Sequence, residues 1–391
     1  MPPFTRRIAF AITALLAIAG AGCAGDPAAA DPQLQDSAIG AATTQAASST
    51  TSEAATSTTA TTTTTSTTTT TTTTLPPITL GFAGDTSFTH GLSGRDPLGD
   101  IEDLLSGPDF MVVNLETTVA EPDVGTPFPK RFIFKSPPES VELLTEAGID
   151  FVQLANNHTL DYGRPALLRT LELLDEGNLP HVGAGTDPEA AYAPVVVDVE
   201  GWKIAFVAFS RVPCDWSASG ENTRPEVAWT CPAFEREAAL SVAGAAATDA
   251  DLVIVLVHWG IEGDHCPQQY QWDLASQWNE LGADFVVGGH PHVLQGVARL
   301  GDGWLILSNG NFAFPSARSG SSYTALFEFG VDSDGSSSLT AHPVRIVDGR
   351  PRPASDGERS EILDGLSRWS FGLDFTEDGA AVPSETAGAC G

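Results

Sequence analysis

Ala283-Asp284-Phe285-Val286-Val287-Gly288-Gly289-His290-Pro291-His292 decides how this chain folds. The apolar run reads as a central strand, and its abrupt polar end delivers side chains to the rim of a sheet. Two glycines let the backbone turn there without steric cost. His290 and His292 can then face one small volume. Alone, such a His-x-His is equally well explained by a tight turn with two exposed imidazoles. Four other strand ends also finish in polar, ligand-type residues, and they shift that balance.

Residues 78–85 read as a first strand ending at Asp85. The C-terminal edge of an α/β sheet is where crevices form, so an Asp there suits a metal, although a turn or helix cap would also account for it. Residues 109–113 form a second strand followed by Asn114-Leu115-Glu116, with Asn114 and Glu116 on one side. A second carboxylate beside Asp85 is repelled unless a cation or a proton intervenes. Residues 132–135 read as a short strand, with Lys135 preferred as a surface lysine over an anion-binding one, and residues 137–147 as a helix stopped by Gly148.

A third strand, residues 150–155, runs into Asn156-Asn157-His158. An amide oxygen suits a hard cation that has carboxylate neighbours. His158 must point away from Asn157, which suits a proton donor whose other nitrogen is held by Asp161. An Asx turn capping the helix over residues 164–176 is the plain alternative. Residues 195–199 and 203–209 form a hairpin. The long loop 210–232, with Trp216 and Trp229, is expected to be an ordered lid or substrate wall. Residues 252–257 are an unbroken apolar run, hence a central strand, ending at His258. Helices are expected over 234–247, 270–281 and 358–369. Antiparallel pairs are expected over 294–307 and 323–347, with Ser308-Asn309-Gly310-Asn311-Phe312 as a polar turn.

Asp85, Glu116, Asn157, His258, His290 and His292 thus form a candidate metal set of two carboxylates, one amide and three imidazoles. That mixture fits one or two divalent ions such as Mn, Fe or Zn better than Mg or Ca alone. Such ions support in-line displacement chemistry, with His158 and Asp161 as the catalytic pair protonating a leaving oxygen.

The rest of the chain bounds the setting. Residues 1–23 read as a signal peptide with a lipobox-like end, Ala21-Gly22-Cys23, so Cys23 is the expected lipid anchor on an extracytoplasmic membrane surface; secretion is the alternative. Residues 24–77 read as a disordered Thr/Ser-rich tether, 78–350 as the folded domain and 351–391 as a C-terminal extension. Formal net charge is −31, and loss of Arg6 and Arg7 with the leader takes it to −33. A surface this acidic argues against nucleic acid as a partner. Cys214, Cys231, Cys266 and Cys390 imply two disulfides in one of three connectivities, with Cys214–Cys231 favoured because both lie in one loop. The lack of a C-x-x-C pair leaves a zinc site unsupported.

In order, Gly84-Asp85, Asn114-Leu115-Glu116, Ala155-Asn156-Asn157-His158 with Asp161 and Gly163, His258-Trp259-Gly260, Gly289-His290-Pro291-His292 and Asn309-Gly310-Asn311-Phe312 resemble the CapA family. These are capsule or poly-γ-glutamate synthesis proteins within the calcineurin-like metallophosphatase superfamily. The resemblance spans about residues 78–347 and implies a four-layer α/β/β/α sandwich with mixed sheets. It implies that Asn157, His258 and His290 serve one metal, Asp85 and His292 another, with Asp85 or Glu116 bridging and His158 catalytic. The wider superfamily opens with Asp-x-His, where this chain has Asp85-Thr86-Ser87. Two functions are therefore expected. One is a surface-anchored metal-dependent hydrolase acting on a phosphoester, poly-γ-glutamate or another envelope polymer. The other is a non-catalytic metal-binding scaffold of a membrane polymer synthase complex.

Overall fold

The structure is a computed structural model that describes residues 74–89, 96–214, 226–315, 320–385, 388 and 390. The expected leader, Cys23, most of the tether and Trp216 lie outside the described residues. The fold is that of Thr74–Gly391, a unit separate from Met1–Thr73.

Strands that are apolar and buried on both faces build two sheets. Among the described residues the first sheet contains β1 (Ile78–Thr86), β2 (Phe110–Leu115), β5 (Phe151–Gln153), β6 (His181–Val182), β13 (Tyr323–Val331), β14 (Ser337–Val347) and β15 (Arg350–Pro353). Their order is β15-β14-β13-β1-β2-β5-β6. The β1-to-β6 half is parallel, and the β13-to-β15 half is an antiparallel meander joined to β1. A parallel two-residue pair, β3 (Thr118–Val119) and β4 (Lys135–Ser136), sits apart. The second sheet contains β7 (Val195–Val199), β8 (Trp202–Ser210), β9 (Leu252–His258), β10 (Phe285–Gly289), β11 (Val297–Leu300) and β12 (Gly303–Ile306) in the order β11-β12-β10-β9-β8-β7. β8, β9, β10 and β12 run parallel at its centre.

The sheets pack face to face through a ladder of phenylalanines. Phe285 of β10 stacks on Phe329 of β13 at 4.4 Å between ring centroids, and Phe329 meets Phe82 of β1 edge-on at 5.3 Å. Phe206 of β8 stacks on Phe151 of β5 at 4.5 Å. Each such buried ring contributes roughly 1.5–3 kcal/mol of burial free energy.

Helices close both outer faces. On the second sheet, α5 (Glu235–Ala246) and α6 (Gln269–Glu280) bury Val242, Leu274 and Trp278 against Phe209, Val255 and Val257. On the first, α1 (Glu102–Leu105), α2 (Ser140–Glu146), α3 (Gly163–Glu176) and α7 (Asp356–Trp369) contribute Leu105, Leu144, Leu171 and Leu366 to the larger core. α4 (Pro188–Tyr192) is a short turn before β7. The result is the expected α/β/β/α sandwich with mixed sheets. Among the described residues, no helix is long and apolar enough to cross a membrane.

One expected strand is largely absent. Of residues 132–135 only Lys135 enters a ladder, because Phe134 is drawn off to stack on His158 at 4.0 Å. Lys135 is also not a surface lysine: its ammonium lies 3.9 Å from the Tyr162 ring centroid and donates to the Val124 carbonyl at 2.7 Å. The two disulfides are Cys214–Cys231, as favoured, and Cys266–Cys390.

The C-terminal extension packs on the first sheet through β15 and α7, then ends in the small pair β16 (Leu373–Phe375) and β17 (Ala381–Pro383). Glu358 ties it down: it completes the capping box of α7 with Ser355 and takes two hydrogen bonds of 2.8 Å from Arg352. The Arg352 hydrogen bond, seconded by the Ser355 backbone, holds the Glu358 carboxyl down at about 2, below its ordinary 4.5. A depressed acid stabilises the fold above its unfolded pKa and loses that effect as pH falls through the folded one. Glu358→Gln is therefore expected to unfold at a lower temperature than the parent above about pH 5. The gap should close between about pH 4.5 and 2 in a calorimetric pH series.

Candidate metal centre

The polar strand ends converge where β1, β2, β9 and β10 finish side by side. Asp85 follows a register shift in the pairing of β1 with β2, a bulge that re-aims its side chain. Its backbone N–H is bound by the Gly310 carbonyl at 2.9 Å. Gly289 pairs with His258 across β10 and β9 and faces Asp85 so closely that a Cβ there would stand 2.9 Å from Asp85 Oδ1. A side chain at this position would push against the buried Asp85 carboxylate. The following turn holds His290 at φ 96° and His292 at φ 57°, conformations that cost about 1–3 kcal/mol each and cluster at functional sites.

His292 Nδ1 lies 3.1 Å from Asp85 Oδ2, 2.8 Å from Asn311 Oδ1 and 3.8 Å from Glu116 Oε2. His258 Nε2 lies 2.8 Å from Asn157 Oδ1, 3.1 Å from His290 Nδ1 and 3.4 Å from Glu116 Oε1. Glu116, His290 and His292 each offer a ligand atom, all within 4.8 Å of one another. All six residues expected as ligands are therefore gathered in one place, with Asn157 half-buried at its margin.

Glu116 is the telling member. Its side chain is fully buried, and neither carboxylate oxygen has a hydrogen-bond partner. A buried charge left in that state costs several kcal/mol unless an ion compensates it. The donors around it are three imidazoles, an amide oxygen and a second carboxylate, which is a set suited to a borderline divalent ion. The residues present fit a metal.

Electrostatics agree. Burial, and after it the neighbouring His258, His292 and His158, push His290 well below its ordinary value, so it is a neutral ligand-ready imidazole. Burial would also lower His292, but Glu116 and Asp85 outweigh it and push the imidazole up to about 10. Burial raises Asp85, yet the His292 hydrogen bond and charge bring it net below its usual range. In the metal-free protein His292 thus serves as the local cation.

His158 lies beside this cluster, its Nε2 3.8 Å from Glu116 Oε1. Asp161 Oδ2 meets His158 Nδ1 at 2.7 Å and accepts the Phe134 backbone N–H at 2.6 Å. Asp161 is further ion-paired with Lys130, whose ammonium donates to the Asn157 carbonyl at 2.7 Å. His158 is therefore held edge and face: its far nitrogen by a carboxylate, its ring by Phe134.

Four further residues complete the site. Asn114 donates to Asp85 Oδ1 at 2.7 Å and lies 3.1 Å from His258 Nδ1, linking the two halves. Asn156 donates to Asn114 Oδ1 at 3.1 Å and accepts the His158 backbone N–H at 3.0 Å. Their strand-end positions made both visible in sequence. Lys130 lies in a loop, and Phe134 lies in a stretch that reads as a strand, so no sequence signal marks either for the site.

The chain matches the family model described as bacterial capsule synthesis protein PGA_cap over residues 35–316. It belongs to that family. It is 31% identical over 217 residues to the capsule biosynthesis protein CapA of Bacillus anthracis, covering 56% of this chain and 53% of that one. It is 30% identical over 254 residues to the PGA biosynthesis protein CapA of Bacillus subtilis, covering 65% and 66%. The chain thus spans between about half and two thirds of the length of these curated relatives. A solved phosphatase from Mycoplasma pneumoniae aligns over 70% of this chain and 94% of its own, with TM-score 0.44 and 15% identity.

Proposed function

We propose that this PGA_cap-family protein is an extracytoplasmic, metal-dependent hydrolase that processes an envelope polymer such as poly-γ-glutamate. The reading includes a calcineurin-like metal centre and anchoring through Cys23, with secretion as the alternative route out of the cell. The single observation that supports it most is the buried, unpartnered Glu116 carboxylate facing His258, His290 and His292, with the His158–Asp161 pair alongside.

Asn157, His258 and His290 would hold one ion, and Asp85 and His292 a second, with Glu116 adding a carboxylate to the set. When bound, a divalent ion there supplies Lewis acidity toward a phosphoryl or carbonyl oxygen. The chain supplies the rest. His158 presents Nε2 toward the cluster and protonates the leaving atom. Asp161 keeps the proton of the other nitrogen in place and steadies the imidazolium. Lys130 holds Asp161, and the Phe134 ring screens the imidazole from water.

The missing histidine two residues after Asp85 favours a second reading, a metal-binding scaffold of a polymer synthase complex. Loading the protein with Mn or Zn and assaying poly-γ-glutamate and a panel of phosphoesters separates the two. The hydrolase reading expects turnover that a chelator abolishes. No turnover of any substrate, with recovery of a membrane synthase on pull-down, would replace it with the scaffold.

A further inference from the structure

A polyanion must approach this site through the field of a chain with net charge −31. Such a surface repels it nearly everywhere, with screening only beyond about 8 Å at physiological salt. Residues 124–138 break the pattern: they hold Lys130, Arg131 and Lys135 and no Asp or Glu, in a chain with 50 acids and 19 cations.

This segment borders the metal centre. At one end Lys130 is bound to Asp161, and at the other Phe134 covers His158. Arg131 and Phe132 lie between these anchors and are both exposed, Phe132 at 54%. Lys130 is spent on Asp161, and Lys135 is turned onto Tyr162 and loop carbonyls. Arg131 rests 4.9 Å above the Phe132 ring and has no ion-pair partner among the described residues. Beside the segment opens a cleft of about 460 Å³ lined by Pro127, Phe128, Pro129, Leu160, Tyr162 and Arg164, residues that flank Lys130 and Asp161 in the chain. Its walls are mainly apolar, and Arg164 is already paired with Glu226 at 2.9 Å, which leaves Arg131 as the segment's unpaired cation among the described residues.

We propose that residues 126–134 and this cleft are the docking strip for a linear polycarboxylate. Arg131 pairs with a carboxylate of the polymer, and the aliphatic stretches between carboxylates lie on Phe132 and in the cleft. The proposal rests on the proposed function only for which site the polymer enters.

The test is anisotropy of fluorescently labelled poly-γ-glutamate with the purified full chain at low and at physiological salt. Parent, Arg131→Glu, Arg131→Lys and Arg236→Glu are compared, each also carrying His158→Ala so that no turnover intervenes. Arg236 is exposed on α5, in the outer helix layer of the other sheet, and its reversal changes net charge equally. Arg131→Glu should weaken binding roughly three- to tenfold at low salt, the scale of a reversed surface pair, and the loss should shrink as salt rises. Arg131→Lys should bind nearly as the parent, and Arg236→Glu within about twofold of it. Equal losses in Arg131→Glu and Arg236→Glu would reduce the effect to net charge and overturn the proposal. So would a parent that ignores the polymer, or that prefers a neutral polymer or anionic lipid vesicles. Because binding is read without turnover, an inactive parent would sink the hydrolase reading and leave this one standing.

Discussion

Replacing His158 with alanine is expected to lower metal-dependent turnover by roughly 10²–10⁴-fold, the range of a positioned general acid. Metal content should stay at the parent level, because His158 is not among the six grouped ligands. The fold should also survive. Asp161 keeps its ion pair with Lys130 and its hydrogen bond from the Phe134 backbone when the imidazole is gone. The pH profile should lose the limb that reports an acid group in the parent. An alanine variant that turns over at the parental rate, with the parental pH profile, would remove His158 from the chemistry.

Glu116→Gln should abolish the metal-induced rise in unfolding temperature. An ion that binds only the folded state at a hundred times its Kd stabilises by about 2.7 kcal/mol, which is several degrees for a domain of this size. Most of that attraction must come from the two buried carboxylates, and Glu116 is the one with no hydrogen-bond partner of its own. In the metal-free protein the same substitution should be nearly neutral or stabilising, since it removes a buried carboxylate that has imidazoles of His258, His158 and His292 at 3.4, 3.8 and 3.8 Å but no hydrogen-bond donor. Scanning calorimetry of parent and variant, stripped and Mn-loaded, reads both effects. An unchanged Mn shift in Glu116→Gln would place the ion elsewhere.

Much of this site was legible because strands signal their own ends. Runs such as Val253-Ile254-Val255-Leu256-Val257 before His258 must be buried on both faces, so the first polar residue after them must emerge at a sheet edge. That logic reached Asp85, Glu116, Asn157, His258, His290 and His292, and the family resemblance ordered them. It could not reach the loop. Phe132-Ile133-Phe134-Lys135 looks like a strand, yet Phe134 leaves the ladder for the His158 ring, a contact between residues 24 apart that no local period encodes. Lys130 is hidden for the same reason. The Cys266–Cys390 pair, 124 residues apart, follows only by elimination once Cys214–Cys231 is favoured; nothing local marks it, because closure at that distance depends on where α7 and the residues after it pack.

The central claim is that the polar strand ends hold metal. Plasma mass spectrometry on the purified chain, beside the Asn157→Ala/His290→Ala variant, tests it most directly. The expected result is about two ions per parent chain, as in shared two-metal sites, and loss of at least one in the variant. A parent that carries no ion even after loading with Mn or Zn would contradict it.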